Sequence, residues 1–156
     1  MSAQQGRGPV PNGDGGSGGS VAGGGTAVPV RDAVTVRLPA ASAYLSVLRT
    51  ATAGLAARLD FTLDQIEDLR IAVDEACAML LAQALPGADL ECEFVLGTTE
   101  IQVRVSVLTV DGMVPAQDTF AWTVLSALAG DVDTQAGPDD RVTITLTKKR
   151  GEPRSG

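Results

Sequence analysis

Residues 62–80 read TLDQIEDLRIAVDEACAML, and this stretch decides the fold. Thr62 and Gln65 have the spacing of a capping box, in which each side chain bonds the backbone amide of the other residue. An apolar face then recurs at spacings of three and four residues. Its members are Ile66, Leu69, Val73, Cys77, Leu80 and Ala84. The pattern predicts a long helix with one buried face, ended by Pro86 and Gly87.

The opposite face of this helix is more apolar than an exposed helix face usually is. At 100° per residue, Glu75 lies opposite the centre of the apolar face, where the simplest interpretation is a solvated carboxylate. The same side carries Ile71, Ala72, Ala78, Met79 and Ala82, beside Asp64 and Asp68. We expect a ligand, a loop or another subunit to cover it. Asp74 lies to one side, one turn from Arg70, and is expected to be a surface ion-pair partner.

The flanking sequence alternates between strand and helix patterns. Strands are predicted at 33–38, 90–96, 100–107, 131–134 and 141–147, and further helices at 42–58 and 119–129. Strands that are adjacent in the sequence pair as hairpins, and the helices cover one face of the sheet. The fold class is therefore α+β, a two-layer α/β sandwich with a mixed, mostly antiparallel sheet.

Composition narrows the range of functions. The chain has 156 residues, a net charge of −7, no histidine and two cysteines. Direct nucleic-acid binding is disfavoured by the acidic charge, which suits a basic protein partner. Histidine-based catalysis and histidine-containing zinc sites are excluded, and the two cysteines are expected to be buried free thiols. Because no apolar run reaches the roughly 18 residues of a membrane span, we expect a soluble cytoplasmic protein without membrane contact.

The N-terminal segment differs from the rest of the chain. Residues 1–31 contain ten of the eighteen glycines and almost no large apolar side chains. Such a composition predicts a disordered tail rather than a packed segment. A phosphate-binding glycine loop is the alternative, but no G-x-x-x-x-G-K-[ST] pattern is present. We therefore predict an ordered domain at 32–149 and a disordered C-terminal end at 150–156.

The stretch LRIAVDEAC at 69–77, a hairpin after it, and the final RVTITLTKKR at 141–150 carry a family resemblance. Together they resemble the anti-sigma-factor branch of the GHKL (Bergerat-fold) ATPases, the RsbW/SpoIIAB-like switch-protein serine kinases. The resemblance covers residues 33–149. It implies the Bergerat fold, seen also in histidine kinases and HSP90-like ATPases.

The helix motif implies a kinase site in the family. Its Glu, matched by Glu75, resembles a general base that orients the attacking hydroxyl. An Asn four residues later supplies an oxygen to the magnesium ion on the ATP phosphates, and here that position is Met79. A thioether is a soft, weak ligand, whereas magnesium prefers hard oxygen donors. The resemblance thus implies a catalytic Glu75, vestigial in role, without a metal ligand at Met79.

Two further family motifs are altered. An Asp-x-Gly-x-Gly turn that reads adenine is matched only by Asp111 and Gly112, without a second glycine. The glycine-rich turn that lets backbone amides approach phosphate is replaced by DTFAWTVL at 118–125. Phe120 and Trp122 are too bulky for that role and are expected to pack in the core. ATP and magnesium are therefore expected as cofactors only if kinase activity is retained.

One position on the first helix bears on partners. Arg49 falls where family members carry an arginine at the surface used for partner proteins, although a solvated helix arginine is the simpler alternative. The resemblance implies a homodimer that binds a sigma factor and an anti-anti-sigma antagonist. Three functions stay open: an anti-sigma factor without kinase activity, an active kinase that uses Glu75 with Asp111 near the nucleotide, and an interaction domain for another signalling partner.

Overall fold

The computed structural model describes residues 32–151. The predicted tail at 1–31 lies outside the described residues, as do residues 152–156 of the predicted C-terminal end. The elements of the described part are β1 (Asp32–Pro39), α1 (Leu45–Arg58), α2 (Leu63–Leu81), β2 (Asp89–Leu96), β3 (Glu100–Leu108), α3 (Phe120–Ala129), β4 (Asp131–Ala136) and β5 (Arg141–Lys149). Short 3-10 turns at Ser42–Tyr44 and Pro138–Asp140 precede α1 and β5. The predicted order of strands and helices is confirmed.

The strands form a single sheet in the order β1-β2-β3-β5-β4. Every ladder in the described part of the chain is antiparallel, so the predicted mixed sheet is antiparallel throughout. The predicted hairpin is β2 and β3, and its turn is closed by a 2.9 Å bond from the Gly97 amide to the Glu100 carbonyl. β4 and β1 are the two edges.

Alternation along the strands separates a buried face from a polar face. On β2, β3 and β5, every second side chain is buried, including Phe94, Val103 and Ile144. The intervening side chains, such as Glu93 and Arg104, stay partly or fully exposed. All three helices contribute buried side chains to the core on the apolar face, as a two-layer α+β sandwich requires.

The long helix begins as the sequence predicts and ends earlier. The amide of Gln65 donates to Thr62 Oγ1 at 3.1 Å and the amide of Thr62 donates to Gln65 Oε1 at 2.9 Å, which completes the capping box. The predicted continuation to Pro86 is wrong because α2 ends at Leu81. Beyond it the chain pairs with the end of β3 through an isolated bridge between Ala84 and Thr109.

The apolar side of α2 opposite the predicted core face is partly covered from within the domain. Ala72 and Ala76 are fully buried, and α3 packs against α2. Small side chains allow the two helices to approach closely. The expected ligand, loop or second subunit is therefore unnecessary for Ala72, while Ile71 and Ala78 remain exposed. Within residues 32–151, no helix has the length and apolar character needed to cross a membrane.

Candidate functional site

Arg49 and Asp74 join α1 to α2 through a bifurcated hydrogen bond. The Nε of Arg49 lies 3.0 Å from Asp74 Oδ1 and 2.8 Å from Oδ2. Both side chains remain partly exposed, at 41% and 34% of their area. The contact orients the guanidinium while its terminal amino groups make no hydrogen bond among residues 32–151. Asp74 thus orients the Arg49 side chain through its Nε, and the two terminal amino groups remain as further hydrogen-bond donors.

The ion pairing of α2 differs from the prediction. Arg70 Nη1 contacts Glu67 Oε1 at 2.7 Å, one turn away on the same helix. Asp74, the predicted partner of Arg70, pairs with Arg49 instead. A surface pair along α2 is therefore replaced by one that connects two helices. The sequence alone did not show this because the packing of α1 on α2 brings the two side chains together.

Glu75 and Met79 lie one helical turn apart on α2, and both are half-buried. Met79 packs against the hydrophobic core. Its thioether therefore serves as an apolar contact at the position where the resemblance implies a magnesium ligand. Glu75 retains the carboxylate of the implied general base. One turn later, at position 79, there is no oxygen atom that could act as a hard ligand for magnesium.

The turn at Asp111 and Gly112 is fixed by hydrogen bonds that have a structural role. The buried Thr109 hydroxyl donates to the Asp140 carbonyl and accepts from the Gly112 amide, both at 2.8 Å. Asp111 Oδ1 accepts from the Met113 amide at 3.1 Å. Gly112 has φ +70°, and a Cβ there would lie 2.5 Å from Asp140 Oδ1. A side chain is therefore disfavoured here by the positive φ and by the Asp140 Cα, which would lie 3.1 Å from the added Cβ.

The start of α3 corrects one expectation about the bulky residues. Thr119 caps the helix by accepting from the Trp122 amide at 3.1 Å. Trp122 is partly buried against the core, as predicted. Phe120 is 82% exposed, so the prediction of core packing is wrong for it. The reason is geometric, since Phe120 lies about 140° around the helix from the buried Leu125.

Two positions in this region lack the side chains that the resemblance implies for a magnesium–nucleotide complex. No group of three or more His, Cys, Asp or Glu residues in the described range could hold a metal ion. The implied oxygen ligand is the core-packed Met79, and the implied phosphate-binding turn carries Phe120 and Trp122. Open cavities of about 260 to 340 Å³ lie on the polar outer face of the sheet, beside Arg104.

The cysteines are buried and free, as predicted. Burial, and to a smaller extent the nearby carboxylate of Asp74, raise the pKa of Cys77 to about 12, while Arg49 opposes the shift. Burial also raises the pKa of Cys92 above its ordinary value. Both groups are protonated thiols at neutral pH, so neither serves as a nucleophile.

Several residues that shape this region were not identified from the sequence. Gln83, just beyond α2, accepts a 2.9 Å bond at its carbonyl from the Val110 amide and donates from Nε2 to the Met113 carbonyl at 3.0 Å. Asp139 and Asp140 both adopt positive φ. Their Pro-Asp-Asp sequence is typical of a turn, but the contact with Gly112 depends on the tertiary fold.

Comparison with known proteins identifies the family. The sequence is 37% identical over 124 residues to a protein of Mycobacterium tuberculosis (strain H37Rv) named anti-sigma-F factor RsbW, covering 76% of this chain and 74% of that protein. The chain belongs to the RsbW family. No protein-family model matches the sequence.

A second relative and a solved structure agree with this result. A Listeria monocytogenes protein (serotype 4b, strain F2365) named serine-protein kinase RsbW is 36% identical over 80 residues, which cover 49% of this chain and 51% of that protein. The crystal structure of the RsbU and RsbW domains of Rv1364c from Mycobacterium tuberculosis matches with a TM-score of 0.62 at 14% identity. The match covers 78% of this chain and 33% of that one, and it confirms the predicted fold.

Proposed function

We propose that this RsbW-family protein is an anti-sigma factor without a kinase step. It binds a sigma factor in the cytoplasm, keeps it from RNA polymerase, and releases it when an antagonist protein competes for an overlapping surface. Release then follows from the relative affinities and concentrations of the two partners, without phosphorylation. By the family resemblance, the working unit is a homodimer.

The observation that carries this proposal is the pair of Arg49 and Asp74. Asp74 binds the Nε of Arg49, and the two terminal amino groups make no hydrogen bond among residues 32–151 on a side chain that is 41% exposed. A guanidinium held in this way can donate two parallel bonds to a partner carboxylate. Because its side chain is already ordered, Arg49 loses less conformational entropy on binding than a free arginine would.

The absence of a kinase step is supported by the chemistry of α2. When bound in a kinase, magnesium neutralises phosphate charge and aligns the transferred group, and it requires hard oxygen ligands. Met79 offers sulfur at that position and is packed on the core. The bulky start of α3 leaves no glycine whose amide could approach a phosphate closely.

An active kinase is the second candidate. Glu75 keeps the carboxylate of the implied base, and a Listeria relative carries the name serine-protein kinase. In this case Glu75 orients the antagonist's hydroxyl and Asp111 lies near the nucleotide. Against it, Asp111 Oδ1 already accepts from the Met113 amide within a closed turn.

The deciding experiment measures binding and nucleotide dependence together. The full chain is titrated with each purified sigma factor of its own organism, with and without Mg-ATP. We expect one sigma factor to bind in both conditions, and Arg49→Glu to weaken that complex by about ten-fold or more. Magnesium-dependent ATP binding that is lost in Glu75→Ala would support the kinase, and binding to no sigma factor would favour another signalling partner.

A further inference from the structure

An exposed apolar patch lies at the end of α2, away from Arg49 and Asp74. We define it by Leu85, Val110, Met113 and Val114. Val110 and Met113 are 64% and 63% exposed, and Leu85 and Val114 are about two fifths exposed, at 39% and 38%. Exposed apolar side chains that cluster in this way commonly mark an interaction surface.

The patch residues are neighbours because the backbone brings them together. The Leu85 amide bonds the Leu108 carbonyl and the Val110 amide bonds the Gln83 carbonyl, both at 2.9 Å. These bonds flank the bridge between Ala84 and Thr109. Thr109 points into the protein and is fully buried, so the residues on either side of the bridge point outward.

The loop that carries the patch is tied to the rest of the domain by hydrogen bonds. Gln83 Nε2 bonds the Met113 carbonyl, and the Gly112 amide bonds the Thr109 hydroxyl. Thr109 is in turn fixed to the Asp140 carbonyl by its hydroxyl and its amide. A patch that is already ordered loses little conformational entropy on binding, which favours a specific interaction.

The rim of the patch is acidic. Asp111 lies between Val110 and Met113 in the sequence, and Asp140, which follows Asp139, packs beside Gly112. All three carboxylates are exposed. The C-terminal end of α2 adds partial negative charge from the helix dipole, and no basic residue lies in its last turn. Arg141, the basic residue next to Asp140, donates to Ser106 on β3 instead.

We propose that this patch binds a basic amphipathic segment of a partner protein. The apolar side chains of the bound segment cover Val110 and Met113. The Lys or Arg side chains of the segment form ion pairs with the carboxylates of Asp111, Asp139 and Asp140. This inference rests on the proposed function for the identity of the partner. A sigma factor needs basic side chains where it meets the phosphates of promoter DNA. Docking of such a segment on the patch blocks those side chains directly.

The test uses the full chain and a defined probe, an amphipathic helical peptide of leucine and lysine, with a leucine and glutamate peptide as its counterpart. Affinity is measured by fluorescence anisotropy.

Met113→Gln with Val110→Thr removes apolar surface at nearly constant volume, and Leu63→Gln is the control because Leu63 is 84% exposed on α2, outside the patch. Asp111→Asn with Asp139→Asn removes charge while keeping side chains that suit the turn and positive φ.

The charge control is Asp32→Asn with Asp131→Asn. Both residues are exposed, and their strand partners Leu96 and Thr147 place them at the end of the sheet opposite Leu108. We expect the lysine peptide to bind, each patch variant to weaken it by about five-fold or more, and the controls to change it less than about two-fold. About 0.5 M salt should remove most of the difference due to the charge variants.

Three results would overturn the inference: no binding of the lysine peptide, equal binding of the glutamate peptide, or equal losses in the patch and control variants. The same variants are then titrated with the sigma factor identified above. If the sigma factor binds with unchanged affinity to both patch variants, the patch inference fails and the proposed function stands. If the peptide binds at the patch but no sigma factor binds the chain, the patch stands and the proposed function fails.

Discussion

Arg49 on α1 and Asp74 on α2 are held together by two contacts of 3.0 and 2.8 Å from a single guanidinium nitrogen. The pair fixes the orientation of Arg49 on a surface that the family resemblance assigns to partner proteins. Because both side chains are more than a third exposed, solvent screens their attraction, and the pair contributes about 1 kcal/mol or less to folding.

Replacement of Arg49 by Ala should therefore affect binding far more than stability. We expect the free energy of unfolding to fall by about 1 kcal/mol or less. Affinity for the sigma factor should fall by about ten-fold or more, since a positioned guanidinium is removed. Urea denaturation and titration calorimetry measure the two quantities. Arg58→Ala, on the same helix, is the control, and equal affinities of the two variants would contradict a binding role for Arg49.

The half-buried Met79 predicts a loss of stability when the family's Asn is restored. Met79→Asn places an amide against the core and should cost about 1–3 kcal/mol. Met79→Leu keeps the volume and should cost less than about 1.5 kcal/mol. Both are measured by chemical denaturation. A neutral Met79→Asn would show that this side chain is not part of the packing, contrary to its contacts.

Gly112 should not tolerate a side chain. Gly112→Ala brings a Cβ within 2.5 Å of Asp140 Oδ1 at φ +70°, so we expect a loss of about 1–3 kcal/mol. Gly54→Ala is the matched control, because Gly54 lies in α1 with no atom within 4 Å of the added Cβ. That change should stabilise the protein by about 0.5–1 kcal/mol. Thermal unfolding should show a lower melting temperature for Gly112→Ala and a higher one for Gly54→Ala. Equal shifts of the two melting temperatures would contradict this prediction.

The buried thiols predict how stability depends on alkaline pH. In the folded protein burial raises the pKa of Cys77 from 9.0 to about 12, while unfolding returns it to its ordinary value. Ionisation of the unfolded thiol then favours unfolding, so stability present below pH 9 is lost as the pH rises toward about 12. The slope is up to about 1.4 kcal/mol per pH unit for this group. Cys77→Ala should flatten the curve between pH 9 and 11, and an unchanged slope would contradict the shifted pKa.

The sequence predicted the elements well because their signals are local. The alternation of β2, β3 and β5 and the capping box of Thr62 and Gln65 depend on residues close in the chain. The end of α2 was predicted too late because the chain after Leu81 pairs with residues 108–110, which no local pattern records.

The candidate site was predicted less completely than the fold. The family motif gave the positions of Glu75, Met79 and Arg49, but not the pairing of Arg49 with Asp74, which depends on how α1 packs on α2. The exposure of Phe120 follows from the point at which α3 begins. The packing of Asp140 against Gly112 joins residues 28 positions apart through the fold.

The central claim is sigma-factor binding without a nucleotide requirement, and titration calorimetry tests it most directly. The full chain is titrated with its sigma factor in buffer containing a chelator, and again with excess Mg-ATP. We expect the same dissociation constant within about two-fold in both buffers, since ATP that does not bind shifts no equilibrium. Binding that requires Mg-ATP, or no binding to any sigma factor of the organism, would contradict it.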